Sequence, residues 1–435
     1  MRKVIACLAV GALTSLTATP AHAQQGWTRA VASEPHALEI NSFLFTRSNH
    51  GVVLWRGFDQ ARGPGFYPAL SLASFGGVWR RGPDVAGFAH GLTEVFSYGR
   101  HHLLLFGLVP NGRSGGRARQ APAIAYGDAT DGSFGTPRLL ASDAWSVPAA
   151  DVNISGDAVA AWSQGVVVRV AERSARHRFG RPHTRTPRGA SRAAVAINTR
   201  GDRVLAWYRK GNIEARIRRR GHNWGRTVRI GRASPYPERI EATIGPTGRI
   251  LVAWGAASIR EGHPNVAEAR LAMRHRGRWR QYRLERFTTT RPFPPEPRAI
   301  PLTDSRGLVW VAWTGLAGNA PVVRLARVSG ASVGAPATVS APGGALDDAA
   351  AGVQGELALS WSATEPGGAS IPFVRMRAAS GALGPAVQLT GPGESALSGT
   401  QVAFVQINGL PSVAWLLRAE AQAALVVSTA QAPPA

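Results

Sequence analysis

The stretch GDRVLAW (201–207) decides the fold of this chain, because variants of it return along the whole sequence. Each copy has a turn, often containing Gly, followed by small and β-branched residues and then an aromatic residue. The aromatic residues are Trp55, Phe106, Trp162, Trp207, Trp254, Trp313, Trp361 and Trp415. Their spacing is 45 to 59 residues. One unit is therefore about fifty residues long, which is the length of a four-stranded β-propeller blade.

Within one unit the pattern indicates four strands. The unit around Trp207 divides into AAVAIN (193–198), DRVLAWY (202–208), NIEARIRRR (212–220) and WGRTVRI (224–230). Helical periodicity is absent, and the inner strands are continuous apolar runs, which is typical of strands buried on both faces. We expect the recurring aromatic residues to fill the gaps between neighbouring blades as core, because each ring buries a large apolar area.

A second repeated feature gives the number of blades. An aromatic or aliphatic residue opens each outer strand, at Trp79, Phe134, Phe179, Trp224, Trp279, Val333 and Leu383. The eighth copy is Trp27, near the start of the chain, while the last unit runs out of strands before the Pro-rich end. The sequence therefore predicts a single all-β propeller of eight four-stranded blades, in which the N-terminal strand closes the last blade and leaves no open sheet edge. The alternative is seven blades, because the second unit carries Phe106 instead of Trp.

The first 23 residues have the pattern of an export signal. A charged start and an apolar middle precede Ala21-His22-Ala23, a small-x-small cleavage site. The predicted domains are a signal peptide (1–23), the propeller (24–429) and a Pro-rich tail (430–435). The only cysteine, Cys7, would leave with the signal, so the mature chain has no disulfide. We expect a secreted or periplasmic monomer, with no membrane span after signal removal.

The blades resemble the sialidase-like and Asp-box class of secreted bacterial propellers. In that class the hairpin between the third and fourth strands carries Ser-x-Asp-x-Gly followed by Trp. Trp79, Trp224 and Trp279 match the Trp half, and DATDGSF (128–134) is the nearest match to the Asp half. The resemblance implies a propeller, whereas the arginine cluster, the Tyr–Glu pair and the acidic residue of sialidases have no match here. No catalytic residue is therefore carried over.

The net charge of +24 is concentrated in the middle of the chain. Residues 169–298 hold 31 basic and 9 acidic side chains, whereas residues 299–435 hold 6 and 7. All but two of the basic residues are arginine. This concentration in blades three to five predicts an arginine-rich flank that binds an anionic polymer. The competing explanation is that the charges only keep the outer strands soluble.

The flank is predicted on third- and fourth-strand hairpins, which face outward. Its candidate polyanion-binding residues are Arg178, Arg181, Arg216, Arg218, Arg220, Arg226, Arg274, Arg276, Arg278 and Arg280, with Arg219 in the same dense stretch. The expected partners are acidic polysaccharide, a phosphate-bearing surface polymer or a protein. No nucleic-acid-binding motif is present.

Carboxylates recur near the starts of the inner strands, where a propeller has the mouth of its central tunnel. The candidate ligand-binding residues there are Glu39, Glu94, Asp151, Glu241 and Asp348. Such a set could hold a cation or supply an acid–base pair, whereas the competing explanation is an ordinary polar rim. His36, His101 and His102 are expected near the same end, without metal-ligand spacing. No metal site and no cofactor is predicted, and a structural calcium ion has no support in the sequence.

The leading hypothesis from the sequence is an exported, non-catalytic propeller that binds an anionic polymer or a cell-surface partner through the arginine-rich flank. It rests on the charge distribution and on the absence of a nucleophile–base or metal-ligand constellation. One alternative is a carbohydrate-active hydrolase or lyase that works at the tunnel mouth. Another is a purely structural interaction module.

Overall fold

The chain folds into β-strands throughout the part that the computed structural model describes. That part comprises residues 27–33, 37–58, 66–74, 78–85, 87–88, 94–114, 117–144, 148–175, 177–233, 237–258, 265–289, 297–365, 368–397, 399–405, 408–419 and 422–431. It contains 34 strands and no helix, so the all-β prediction is confirmed. Among these residues, accordingly, no helical segment has the length and apolarity to cross a membrane. The predicted signal peptide and His36 lie outside the described residues.

The strands follow one another along the chain. They are β1 (Trp27–Val31), β2 (Ala37–Phe45), β3 (Gly51–Phe58), β4 (Phe66–Ala73), β5 (Arg80–Asp84), β6 (Glu94–Tyr98), β7 (His102–Ser114), β8 (Arg117–Asp128), β9 (Arg138–Leu139), β10 (Ala149–Val152), β11 (Ala158–Gln164), β12 (Val167–Arg173), β13 (His183–Thr184), β14 (Ala190–Ile197), β15 (Arg203–Arg209), β16 (Asn212–Arg218), β17 (Val228–Arg232), β18 (Pro237–Ile244), β19 (Ile250–Ser258), β20 (Asn265–His275), β21 (Arg278–Thr289), β22 (Ala299–Thr303), β23 (Val309–Ala317), β24 (Ala320–Ser329), β25 (Ser332–Val333), β26 (Ala337–Thr338), β27 (Gly344–Ala351), β28 (Leu357–Thr364), β29 (Ser370–Arg377), β30 (Leu383–Gln388), β31 (Ser395–Ala396), β32 (Gln401–Phe404), β33 (Pro411–Ala419) and β34 (Gln422–Ala430).

Most strands pair into four-stranded antiparallel units. Groups 1 to 5 are β2–β5, β6–β9, β10–β13, β14–β17 and β18–β21, and group 6 is β22–β25 with β26 beside β24. A nine-stranded sheet holds the rest. Its two halves are group 7, β27–β30, and group 8, in which β32, β33 and β34 are followed by β1. The short strand β31 pairs with both β29 and β33 and so joins the halves.

The two ends of the described chain pair with each other. Strand β1 lies antiparallel to β34, with Trp27 opposite Ala430 and Val31 opposite Val426. The backbone N–H of Ala32 continues the contact by donating to the carbonyl of Leu425 at 2.8 Å. Strand β34 therefore reaches one residue into the segment predicted as the Pro-rich tail. The N-terminal strand thus covers what would otherwise be an open edge of group 8.

The second strand of each group carries the aromatic residue of the repeated phrase, and these residues are core as predicted. Seven tryptophans and Phe106 at these positions are at most 2% exposed. A buried indole N–H needs an acceptor, and five of the seven tryptophans have one. Trp207 donates to Glu214 at 3.0 Å, and Trp415 donates to Ser428 at 3.0 Å. Trp162 is an exception, because its buried indole N–H has no hydrogen-bond partner among the described residues.

The apolar core is divided into layers between successive groups. Eight clusters of buried residues each join two groups that are neighbours in the chain, or join group 8 to group 1. The cluster between group 8 and group 1 contains Phe43 and Trp55 of group 1 together with Leu416 and Leu425 of group 8. The apolar surface that is buried between neighbouring groups, and not one central core, therefore holds the groups together.

The turns between first and second strands meet on one side of the molecule, which we call the turn face. Asn198, only 4% exposed, accepts the backbone N–H groups of Arg200 and Asp202 at 3.1 and 2.9 Å. Its side-chain amide donates to the carbonyl of Gly245 in the next group's turn at 3.3 Å. Gly201 has a φ of +87°, which glycine adopts without steric cost. Corresponding bonds link the turns of groups 1 to 5, so these turns share one face.

Candidate functional site

A cavity of about 790 Å³ opens on the turn face between groups 4 and 5. The turn that contains Arg200 and Asp202 forms one wall, and the turn that contains Thr247 and Gly248 forms another. The ends of β16 and β20 complete it. The cavity therefore lies where two neighbouring groups diverge, at the ends of their strands.

Four arginines line this cavity, which we call the basic pocket: Arg200, Arg219, Arg220 and Arg274. Arg219 and Arg220 follow β16 and begin the hairpin to β17, whereas Arg274 is the penultimate residue of β20. The hairpin is tied to the turn because the backbone N–H of Arg220 donates to Asp202 at 3.2 Å. A turn and a hairpin of group 4 and a strand of group 5 thus bring the four arginine side chains together.

The positive charge of the basic pocket is only partly compensated within the protein. Asp202 is its one acidic lining residue, which leaves a net formal charge of +3 when His222 is neutral. Arg200 pairs with this carboxylate at 3.1 Å. Among the described residues, no carboxylate forms an ion pair with Arg219, Arg220 or Arg274. An anion entering the pocket would therefore meet guanidinium groups that are not already paired.

Arg274 shows the strain of this arrangement. Burial lowers the pKa of its guanidinium, and the positive charge of Arg219 lowers it further. The two effects are distinct: burial removes water from the charged group, and Arg219 repels it. A bound sulfate, phosphate or carboxylate would relieve the repulsion.

The predicted arginines divide into three sets in the structure. Arg220 and Arg274 line the basic pocket. Arg218 pairs with Glu172 at 2.5 Å, and Arg216 donates to Thr227 at 2.9 Å, so both are engaged inside the protein. The remaining six are exposed on hairpins or outer strands: Arg178, Arg181, Arg226, Arg276, Arg278 and Arg280.

Two further residues of the basic pocket, Arg200 and His222, were not among the predicted ones. A signal for Arg200 was present, because its turn lies at the same end of the unit as the third-to-fourth-strand hairpins. His101 and His102 were expected near the tunnel mouth, but this was wrong. They lie at the turn between β6 and β7, on the turn face, because that turn follows the end of the first strand.

Four of the five predicted carboxylates belong to a second region, the central cluster. The cluster consists of side chains on or just before first strands, which are the free edge strands of their groups: Glu94, Asp151, Arg239, Glu241, Arg298 and Asp348. The pKa of Glu94 is raised to about 7, mainly by burial and then by the charge of Glu241. Arg239 opposes this rise, and Asp151 adds to it. Carboxylates of groups 2, 3 and 5 thus face a common space. The fifth, Glu39, is set apart because it pairs with Arg56 of its own group at 2.9 Å.

Two carboxylates of the central cluster have a structural partner. Asp151 accepts the backbone N–H of Ile197 at 2.8 Å, and Asp348 accepts that of Val402 at 3.0 Å. In each case the acceptor lies on one first strand and the donor on the first strand of the next group. Burial raises the pKa of Asp151 to about 6, although the bonds from Ile197 and Val152 oppose the rise. These side chains close exposed strand edges, a role that the sequence did not reveal.

Glu94 makes stability depend on pH. Its pKa in the folded chain, about 7, lies above the ordinary value of 4.5, so the folded state binds the proton more tightly than the unfolded state does. Stability therefore falls as the pH rises from about 4.5 to about 7. We expect Glu94→Gln to match the wild type at pH 5 and to exceed its unfolding free energy by roughly 1–2 kcal/mol at pH 8, a value discounted for solvent in the cluster.

Urea unfolding of both proteins at pH 5 and pH 8 measures this difference. Glu39→Gln is the matched control, because that carboxylate is 45% exposed and pairs with Arg56. Its loss should leave stability unchanged or slightly reduced at pH 8. Equal stability of Glu94→Gln and wild type at both pH values would contradict the prediction.

Comparisons with known proteins bear on the fold. No family model and no curated protein sequence matches the chain. Among solved structures, a PL25 ulvan lyase bound to -[GlcA(1-4)Rha3S]- aligns with a TM-score of 0.51 at 9% identity, over 76% of this chain and 92% of the lyase. AofleA from Arthrobotrys oligospora aligns with a TM-score of 0.40 at 11% identity, over 74% and 93%. The sialidase of Trypanosoma rangeli gives 0.37 at 12%, over 93% and 59%.

The strand groups and the likeness to the lyase define the class of this protein as a β-propeller. At 9% identity the likeness shows the fold alone, and it identifies neither a substrate nor a reaction. The propeller expected from the sequence is confirmed at this level.

Proposed function

We propose that this protein is an exported, non-catalytic propeller that binds an anionic polymer or a partner on a cell surface at the basic pocket and the arginine-rich flank around it. One observation carries the proposal: Arg219, Arg220 and Arg274 surround an open cavity without an ion-pair partner among the described residues. Export rests on the predicted signal peptide, 1–23.

The proposal includes eight blades, one for each strand group. The eight apolar clusters support this number, because each lies between two neighbouring groups and one of them joins group 8 to group 1. The pairing of β1 with β34 supplies the fourth strand of group 8. Against seven blades, the unit with Phe106 forms its own four-stranded sheet, β6 to β9.

The chemistry of the basic pocket favours a ligand with repeated sulfate, carboxylate or phosphate groups. The planar guanidinium group binds each of these oxyanions through two parallel N–H donors. A volume of about 790 Å³ is that of a small-ligand site, so it suits one short segment of a polymer. The exposed arginines outside the pocket, such as Arg278 and Arg280, would contact the chain further along.

An acidic polysaccharide is the first polymer to test. A heparin oligosaccharide presents sulfate and carboxylate, polygalacturonate presents carboxylate alone, and DNA presents phosphate. Binding of the mature protein to each, measured over a range of salt concentrations, tests the proposal. Absence of binding at low salt would instead favour the purely structural module.

The central cluster supports a second candidate function, a hydrolase or lyase acting on carbohydrate. A carboxyl group with a pKa near 7, beside a second carboxyl group that pairs with Arg239 at 3.8 Å, Glu241, is a common arrangement for an acid and a base at neutral pH. Glu94 and Glu241 would carry these roles. If the protein cleaves an acidic polysaccharide, we expect Glu94→Gln and Glu241→Gln to lower kcat at least about 100-fold.

Reducing-end release and the absorbance of unsaturated products measure the two reactions. Glu39→Gln is the control, because that carboxylate lies outside the central cluster. Turnover that survives both cluster substitutions would place any activity elsewhere. No turnover on the panel would leave the binding proposal as it stands.

A further inference from the structure

Two histidines and an aspartate of group 2 converge on the turn face. The Nε2 atom of His101 lies 3.7 Å from Oδ2 of Asp128, and Nδ1 of His102 lies 4.0 Å from the same oxygen. One ligand atom from each of the three residues lies within 4.8 Å of the others. Among the described residues this is the one group of three His, Cys, Asp or Glu side chains that meets this condition.

Strand register explains the convergence. His102 opens β7 and pairs directly with Asp128 at the end of β8, so their side chains lie on one face of the sheet. His101 belongs to the preceding turn and therefore does not alternate to the opposite face. The carbonyl of His101 accepts the backbone N–H of Ala129 at 2.8 Å, which fixes the turn beside Asp128.

Nearby residues of the same strand group orient Asp128 and His102. The other carboxylate oxygen of Asp128, Oδ1, accepts the backbone N–H and the hydroxyl of Thr130 at 2.9 and 2.7 Å, so that Oδ2 is directed toward the imidazoles. The ring of His102 packs against that of Tyr98 with centroids 5.4 Å apart. Such supporting contacts fix the geometry of metal ligands in proteins.

We propose that His101, His102 and Asp128 form a binding site for a divalent transition-metal ion such as Zn²⁺. Two imidazoles and one carboxylate suit zinc and its neighbours in the first transition row, and not calcium or magnesium, which prefer oxygen alone. Ligand atoms of a tetrahedral zinc site are about 3.4 Å apart, given metal–ligand bonds of about 2.1 Å. The ligand atoms lie 3.7 and 4.0 Å from Asp128 and within 4.8 Å of one another, so side-chain rotation would have to bring them about 1 Å closer.

The site has three protein ligands and is open to solvent. The side chains are 40%, 54% and 31% exposed for His101, His102 and Asp128. Water or a ligand group would complete the coordination, as in zinc sites that keep an open position. An ordinary ion pair between a protonated histidine and Asp128 is the competing explanation, and it predicts no saturable metal binding.

Isothermal titration calorimetry with ZnCl₂ at pH 7.5 tests the site on mature protein purified without a polyhistidine tag. We expect one Zn²⁺ per chain and no saturable heat with CaCl₂. His101→Ala and Asp128→Asn should each weaken Zn²⁺ binding at least about tenfold. Asn keeps the acceptor for Thr130, so Asp128→Asn removes the charged ligand while preserving the hairpin.

His183→Ala is the matched control, because His183 is exposed on β13 of group 3. The Zn²⁺ affinity of the His183→Ala variant should equal that of the wild type. Wild-type protein without saturable 1:1 binding would overturn the proposal. So would wild-type affinity in either His101→Ala or Asp128→Asn.

Discussion

Raising the salt concentration from 50 to 200 mM should weaken binding of the mature protein to double-stranded DNA, the simplest polyanion probe, by about 100-fold. The basic pocket offers four arginines, and each contact with a phosphate releases about one condensed counterion. Four contacts give a slope of log K against log salt of about −3.6. A fourfold rise in salt concentration therefore lowers the affinity by about two orders of magnitude. Heparin should follow the same trend.

Removal of two pocket arginines should reduce both the affinity and the salt dependence. We expect Arg219→Ala/Arg274→Ala to bind about 10–100-fold more weakly at 50 mM salt, since each lost charge-assisted bond contributes about 1.5–3 kcal/mol before partial compensation. The slope of log K against log salt should fall by about 2. The double variant should remain folded, because the two charges repel each other in the free protein.

The matched control is Arg278→Ala/Arg280→Ala. It removes the same formal charge from β21 of group 5, where both side chains are exposed. If the basic pocket is the binding site, the control should lose less affinity than Arg219→Ala/Arg274→Ala. Equal losses in the two double variants would mean that the polymer responds to total charge and not to the pocket. Fluorescence anisotropy of a labelled probe measures all three proteins.

The repeated strands could be predicted from the sequence because every blade meets the same physical demand. Each second strand is buried on both faces and must fill the gap to the next group, so small residues followed by an aromatic residue return at Trp162, Trp207 and Trp254. Trp27 could be recognised as a displaced copy of the outer-strand residue for the same reason. The prediction needed only local pattern and a count of units.

The roles of the carboxylates could not be predicted in this way. Asp151 and Asp348 satisfy backbone N–H groups that lie 46 and 54 residues further along the chain. Every non-proline residue has such a group, so nothing in the sequence marks the partner. The position of a carboxylate near a strand start is the same whether it binds a ligand or closes an edge.

The basic pocket and the histidine pair depend on register as well. Arg200 and Arg274 belong to different groups. They line one cavity because the turn of group 4 lies beside the end of β20. His102 and Asp128 are cross-strand partners only in the register that β7 and β8 adopt. A shift of one residue would turn the two side chains to opposite faces.

In the proposed eight-bladed ring the N-terminal strand β1 would close the last blade, with Trp27 as its anchor. Trp27 is 8% exposed and belongs to a cluster with Val374, Trp415 and Val426. Beside it, Arg29 pairs with Glu394 at 2.7 Å and lies over the ring of Trp415. Strand β1 therefore contacts the rest of groups 7 and 8 through apolar packing, an ion pair and strand pairing.

We expect Trp27→Ala to lower the free energy of unfolding by about 3–5 kcal/mol, because it leaves a cavity in the cluster between groups 7 and 8. Loss of β1 would expose the edge of β34, so the variant should also associate at high concentration. Urea unfolding and sedimentation velocity measure the two effects. The control is Val31→Ala on the same strand, where the side chain is 48% exposed and the cost should stay within about 0.5 kcal/mol. If Trp27→Ala is as stable and monomeric as Val31→Ala, the pairing of β1 with β34 does not hold the ring closed, and the closing blade would have to be completed from elsewhere in the chain.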